Sequence, residues 1–287
     1  MNYETMTEEQ QHALNLQYRA RLTIPDADDF VARAAVRSAA VRDRLNCHLD
    51  VAYGDTPKQT LDVFPADHPG APVFFYIHGG YWFQLDKDIY SEVAEPMVAA
   101  GVTTVLPNYE LCPDVTIPDI VDQVRRALVW VHQNVASYNG NPDRIHISGH
   151  SAGGHLTGMM MVTDWASLFG LPVDLIKSST PISGLFDIEP HRFTNLQPDI
   201  RLTAEAAAAN SPQHLPLYFS GSMICAVGGG ETTSFKRQTK DFNAKCQDQG
   251  LACQYVEIEN DHHFAITDRL NDTDDPLTKS ILEQMGL

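Results

Sequence analysis

Three scarcities narrow what this chain can do. Cysteine is sparse: five residues (Cys47, Cys112, Cys225, Cys246, Cys253) are scattered through 287 positions, odd in number and without a C-x-x-C pair. That excludes a disulfide framework and points to a reducing compartment. Positive charge is sparse too, with 20 Lys and Arg against 37 Asp and Glu, a net charge of −17 and no basic block. Phosphate backbones need a basic stripe, so no nucleic-acid partner is expected. Long apolar runs are missing: none approaches the ~18 residues of a membrane span. The opening "MNYETMTEEQQ" is acidic and polar, unlike a secretory or transit segment. A cytoplasmic protein without a membrane partner is the expectation. Metal signatures are also lacking. His262 and His263 stand beside Asp261, but no H-x-x-x-H or H-E-x-x-H accompanies them, so neither a metal nor another cofactor is expected.

What is present is ordinary globular material, 43% hydrophobic and 20% charged, enough for a sizeable core. Residues 9 to 45 look helical apart from the Pro25 region. Within them "FVARAAVRSAAVRDRL" has the spacing of a helix covering the main domain. Short β-branched and aromatic runs follow ("HLDVAYG", "TLDVF", "PVFFYI", "VTTVLPNY"), and then strands alternate with helices. "DIYSEVAEPMVAAG" (88–101) reads as a helix ending on Gly101, "DIVDQVRRALVWVHQNV" is a strongly amphipathic helix, "RIHISG" a strand, and "SAGGHLTGMMMVTDW" a helix. "IKSSTPIS", "MICAVGG" and "CQYVEIE" read as further strands, with helices over "TTSFKRQTKDFNAKCQDQG" and "PLTKSILEQM". The alternation predicts one α/β domain over residues 1–287: a mostly parallel central sheet, helices on both faces, and an antiparallel edge formed by the first strands. Residues 188–216 interrupt it and are expected to form a small cap-like excursion over the mouth of the site.

In such a sheet, reactive groups gather beyond the carboxyl ends of the strands. "GHSAG" puts Ser151 there, between a strand and a helix starting near residue 152. A sharp strand-to-helix turn projects the serine hydroxyl, Gly149 and Gly153 avoid collisions, and the helix N-terminus offers the Ala152 amide to an oxyanion. A G-x-S-x-G alone decides little, because glycine is common. A second feature supports it: "YIHGGYW" follows an early strand, and Gly79 and Gly80 let backbone amides approach a developing oxyanion. His78 reads as a loop-fixing hydrogen-bonder. Tyr81 and Trp82 are candidates for an acyl or aryl pocket, with plain packing as the alternative.

A serine nucleophile in this strand order requires an acid and then a histidine further along the chain. "VEIENDHHFAI" supplies His262 and His263 as candidate bases; "MICAVGGGETTSF" supplies Glu231 directly after a strand, with Asp187 as the runner-up acid. Arg192 and Arg201 in the excursion could meet a substrate carboxylate, although simple solvation serves them equally well.

Taken together, "HGGYW", "GHSAGGHL", "GLFDIEP", "GGGETTSFKRQTKDF" and "DHHFAITDRL" resemble the arylformamidases (kynurenine formamidases), α/β-hydrolases with a serine nucleophile. The resemblance runs from about residue 45 to the C-terminus and includes "NSPQ" at 210–213 and "LTKSIL". It implies Glu231 as the acid and His263 as the base. Two positions depart from the pattern: Glu stands where Asp is frequent, and His262 fills the place of the Asp before the base. The implied activity is hydrolysis of an aryl formamide such as N-formylkynurenine, to kynurenine and formate, through an acyl-enzyme. The alternatives are a carboxylesterase for short-acyl or aryl esters and a catalytically silent ligand-binding fold. The expected partner is thus a small aryl formamide or ester; a homodimer stays open.

Overall fold

The computed structural model describes residues 5–287. Eight strands form one sheet: β1 (His48–Ala52), β2 (Thr60–Phe64), β3 (Ala71–Ile77), β4 (Thr103–Pro107), β5 (Gly140–His150), β6 (Ile176–Ile182), β7 (Ser222–Gly228) and β8 (Cys253–Ile258). Their order is β1-β2-β4-β3-β5-β6-β7-β8. The first two strands pair antiparallel, β2 is antiparallel to β4, and every other pairing is parallel. The hairpin edge and the parallel body are those the run of early strands implied.

The central strands are apolar on both faces because both faces are covered. Along β3, Val73, Phe75 and Ile77 enter one core while Phe74 and Tyr76 enter the other. Helices α1 (Glu8–Tyr18), α2 (Ala27–Arg44), α3 (Ala94–Ala99), α4 (Ile117–Asn134) and α5 (Ala152–Met161) come first in the chain. The short α6 (Trp165–Phe169), α7 (Gln197–Ile200) and α8 (Ala204–Ala209) follow, then α9 (Thr233–Asp248) and α10 (Pro276–Gln284). Buried residues of α1, α4, α5 and α9 share the first core; those of α2, α3 and α10 share the second. The helix α4 shows why a segment here is helical at all. Thr116 and Asp119 form a reciprocal capping box, Pro118 sits in the first turn, and a wide apolar face is buried.

Two expected helices are broken. The N-terminal segment turns through the 3₁₀ stretch Ala20–Leu22 before α2 begins at Ala27. The segment expected as a helix over 88–101 is two 3₁₀ turns and then α3. There tertiary bonds from α2 compete with helix geometry: Ser38 donates to the Ile89 carbonyl and accepts from the Glu92 amide, and Arg37 pairs with Glu92. No helix among the described residues is long and apolar enough to cross a membrane.

Candidate active site

The strand β5 ends at His150 and α5 starts at Ala152, so Ser151 occupies the corner, with φ 59° and ψ −117°. That backbone is strained for a residue with a side chain and persists because its surroundings enforce it. A Cβ on Gly153 would lie 2.0 Å from the Ile77 carbonyl oxygen, and one on Gly149 2.5 Å from that of Gly153. The Ser151 amide donates to the Ile182 carbonyl at 2.9 Å, tying the corner to β6.

Three buried side chains meet there. Ser151 Oγ lies 2.9 Å from His263 Nε2, and His263 Nδ1 lies 2.7 Å from Glu231 Oε2. An ionised carboxylate only accepts, so Glu231 holds the proton on Nδ1 and leaves Nε2 free to accept from the serine. The other carboxylate oxygen, Oε1, accepts from Ser183 Oγ at 2.5 Å and from the Gly228 amide at 2.8 Å. Ser183 escaped the sequence reading: it lies 48 residues from Glu231, and only the neighbouring of β6 and β7 brings them together.

The loop after β3 runs alongside. A Cβ on Gly79 would meet the His150 carbonyl at 2.8 Å and Ser151 Cβ at 3.4 Å, so only glycine permits this approach. Gly80, Tyr81 and Trp82 are all left-handed, with φ of 112°, 50° and 62°. This winding separates the two aromatic side chains. Tyr81 lines the cleft above Ser151, whereas Trp82 is not brought to its wall. Trp82 turns inward, fully buried, and its indole N–H donates to His155 Nδ1 at 3.1 Å. His155 Nε2 in turn donates to the Asn210 carbonyl at 2.7 Å. Both bonds suit a neutral ring, and burial lowers the His155 pKa to about 4. His78 is a buried brace, stacked on Tyr109 with its ring nitrogens 2.8 Å from the Gly79 carbonyl and 3.1 Å from the Asn108 amide oxygen. Ala152 opens α5, where first-turn amides lack intrahelical acceptors.

The remaining candidates fall elsewhere. Asp187 faces His214 at 3.6 Å, away from His263. His262 Nδ1 accepts from the amides of Phe264 and Ala265, just ahead of the 3₁₀ turn that follows. Asp261 is held by Arg269 through two 2.8 Å bonds. Arg192 pairs with Glu189, and neither it nor Arg201 lines the cleft.

A cleft of about 730 Å³, its open mouth included, sits over Ser151 and His263. Its cover corrects one expectation. No residue of 188–216 lines it; the roof is the N-terminal segment, with Arg19, Arg21, Phe30, Val31 and Ala34. The excursion lies behind the loop instead, where His191 packs on Tyr81 and Trp82 at 6.1 and 5.8 Å and Asn210 receives His155.

Comparison with known proteins identifies the family. The kynurenine formamidase of Danio rerio is 32% identical over 286 residues, covering 95% of this chain and 96% of the relative. The chain belongs to the kynurenine formamidase family. The Salmo salar kynurenine formamidase is 33% identical over 83% of this chain and 82% of its own. The BD-FAE family model matches residues 61–181, the span from β2 through the nucleophile corner to β6. Among solved structures, a candidate thioesterase from Silicibacter sp. tm1040 is 29% identical with TM-score 0.84, covering 94% of this chain and 98% of that one. This kynurenine formamidase relative is therefore a hydrolase with the α/β-hydrolase fold.

Proposed function

We propose that the protein hydrolyses an aryl formamide of the N-formylkynurenine type through a formyl-serine intermediate. The observation that carries this reading is the hydrogen-bonded chain Ser151–His263–Glu231 at the floor of an aromatic cleft in a kynurenine formamidase family member. Ser151 Oγ adds to the formyl carbon as His263 Nε2 accepts its proton, and Glu231 stabilises the imidazolium. The oxyanion that forms faces the amides of Gly79, Gly80 and Ala152; donors of this kind contribute roughly 10²–10³ each in rate. Collapse breaks the C–N bond, and His263 returns its proton to the departing aniline nitrogen. Water, deprotonated by the same histidine, then releases formate and restores Ser151.

A second reading, an esterase for short-acyl or aryl esters, has a chemical basis. An aniline leaves more readily than an alkyl amine, so a formanilide asks little more of the triad than an aryl ester does. Turnover of N-formyl-L-kynurenine beside p-nitrophenyl acetate, with Ser151→Ala as the blank, separates the two. A kcat/KM for the formamide well above that for the ester is expected. Ester turnover with negligible formamide hydrolysis reassigns the enzyme as a carboxylesterase, and activity retained by Ser151→Ala removes the serine mechanism.

A further inference from the structure

The cleft wall carries a charge pattern opposite to that of the chain. The protein is strongly acidic, yet no carboxylate lines the cleft, and its two formal charges are Arg19 and Arg21, both on the N-terminal segment. Arg21 already has company: it pairs with Asp28 and lies 5.5 Å over the Phe264 ring. Arg19 is half-buried and forms no ion pair among the described residues. Removing a guanidinium from water without a counter-charge is costly, and an anion arriving in the cleft would relieve that cost. Beside it the Tyr81 hydroxyl is buried and lines the same cleft; the Ala20 amide approaches its oxygen, and its own O–H meets no acceptor among the described residues. A guanidinium without an ion-pair partner and a phenol O–H without an acceptor, in a cleft that no carboxylate lines, form a recognition site for a planar anion.

We propose that Arg19, with the Tyr81 hydroxyl as second donor, binds a carboxylate on the substrate, so that the enzyme selects aryl amides or esters that carry a carboxylate over those that lack one. The site deepens the function proposed above and rests on the same serine. The N-terminal segment, on this account, is a cover that also reads the substrate. A carboxylate drawn to Arg19 lies in the cleft that opens onto Ser151, so its reacting carbonyl is held within the same enclosure.

Two substrate pairs test this. The first is N-formyl-L-kynurenine against formanilide; the second is 3-acetoxybenzoate against phenyl acetate, which still reports if the protein proves to be an esterase. In each pair only one member carries a carboxylate. Arg19→Gln is expected to lower the ratio of kcat/KM, carboxylate-bearing over carboxylate-free, by about 10- to 100-fold, the range for a charge-assisted bond. Arg19→Lys should recover part of that ratio, and Arg192→Gln, outside the cleft, should leave it at the wild-type value. A ratio within about twofold of wild type in Arg19→Gln overturns the proposal. So does a parallel loss on both members of a pair, which would mean that Arg19 only holds the cover in place. If N-formylkynurenine is not turned over but the ester ratio collapses, the formamidase reading fails and the anion site stands.

Discussion

Glu231 does its work only because its carboxylate is fixed from behind. Of its two oxygens, one faces His263 and the other takes both the Ser183 hydroxyl and the Gly228 amide. Ser183 is itself wound left-handed at φ 48° and bonded through its amide to the Ala226 carbonyl, so the hydroxyl has little freedom. Glu231→Gln presents an amide N–H where His263 Nδ1 needs an acceptor; it should lower kcat by roughly 10³–10⁴, as expected when the wrong tautomer is imposed. Ser183→Ala keeps the carboxylate and one of its two anchors. It should reduce kcat by about 3- to 10-fold with KM nearly unchanged, the mark of a positioning residue. Asp187→Asn, remote from His263, should change kcat by less than about twofold. Steady-state kinetics on p-nitrophenyl acetate rank the three, and a larger loss for Asp187→Asn than for Glu231→Gln would reassign the acid.

The N-terminal segment is held by contacts that span most of the chain. Gln17 in α1 supplies the cap that α9 lacks: its side-chain oxygen accepts from Thr233 Oγ1 at 2.9 Å and from the Ser234 amide at 3.1 Å. Thr232, the residue at the N-cap, makes no capping bond and donates instead to the Gln17 carbonyl. Gln17→Ala should cost about 1 kcal/mol, as loss of an N-cap does, and lower Tm by roughly 2–4 °C for a chain of this size. Because α1 leads directly into Arg19, the same change should raise KM more than it lowers kcat. Thermal unfolding and steady-state kinetics on one sample check both, and an unaltered KM would mean that the cover is positioned by α2 alone. Contacts of this length mark where reading the sequence stops. Periodicity, capping residues and Gly–Ser punctuation are local, and they made α4, the strand–helix alternation and the order Ser151, Glu231, His263 legible. They could not say which surface the helix over "FVARAAVRSAAVRDRL" would cover. Hence the sequence points to 188–216 for the cover, and nothing local marks Arg19 within a segment whose pattern is helical. Trp82 misled for a related reason. An aromatic beside a glycine pair has two directions open to it, and the left-handed winding of 80–82 chooses the inward one.

Across the molecule, five buried histidines are held neutral by their surroundings. Burial is the main cause that lowers His78, His146 and His155 to about 4 and His191 to about 3, and it holds His150 well below its ordinary 6.5. Each is a base whose folded value lies below its unfolded one. Between pH 6.5 and about 4 the unfolded chain therefore binds protons that the native state refuses. The contribution of these residues is complete above pH 6.5 and is lost as pH falls toward 4, at a rate approaching ~1.4 kcal/mol per pH unit for each histidine. His191 is the sharpest probe. Its ring nitrogens make no hydrogen bond of normal geometry, with the Ile188 carbonyl only nearby, and the ring packs on Tyr18 at 4.6 Å as well as on Tyr81 and Trp82. His191→Phe retains an aromatic ring and removes both the unsatisfied polar atoms and one titration. It should be close to neutral in stability, or stabilising by about 1 kcal/mol, at pH 7.5, and should gain further against wild type at pH 5. Urea unfolding at the two pH values measures the difference. An advantage that does not grow on acidification would mean that His191 is protonated in the folded protein, and the picture of a neutral interior would fail at a fully buried member.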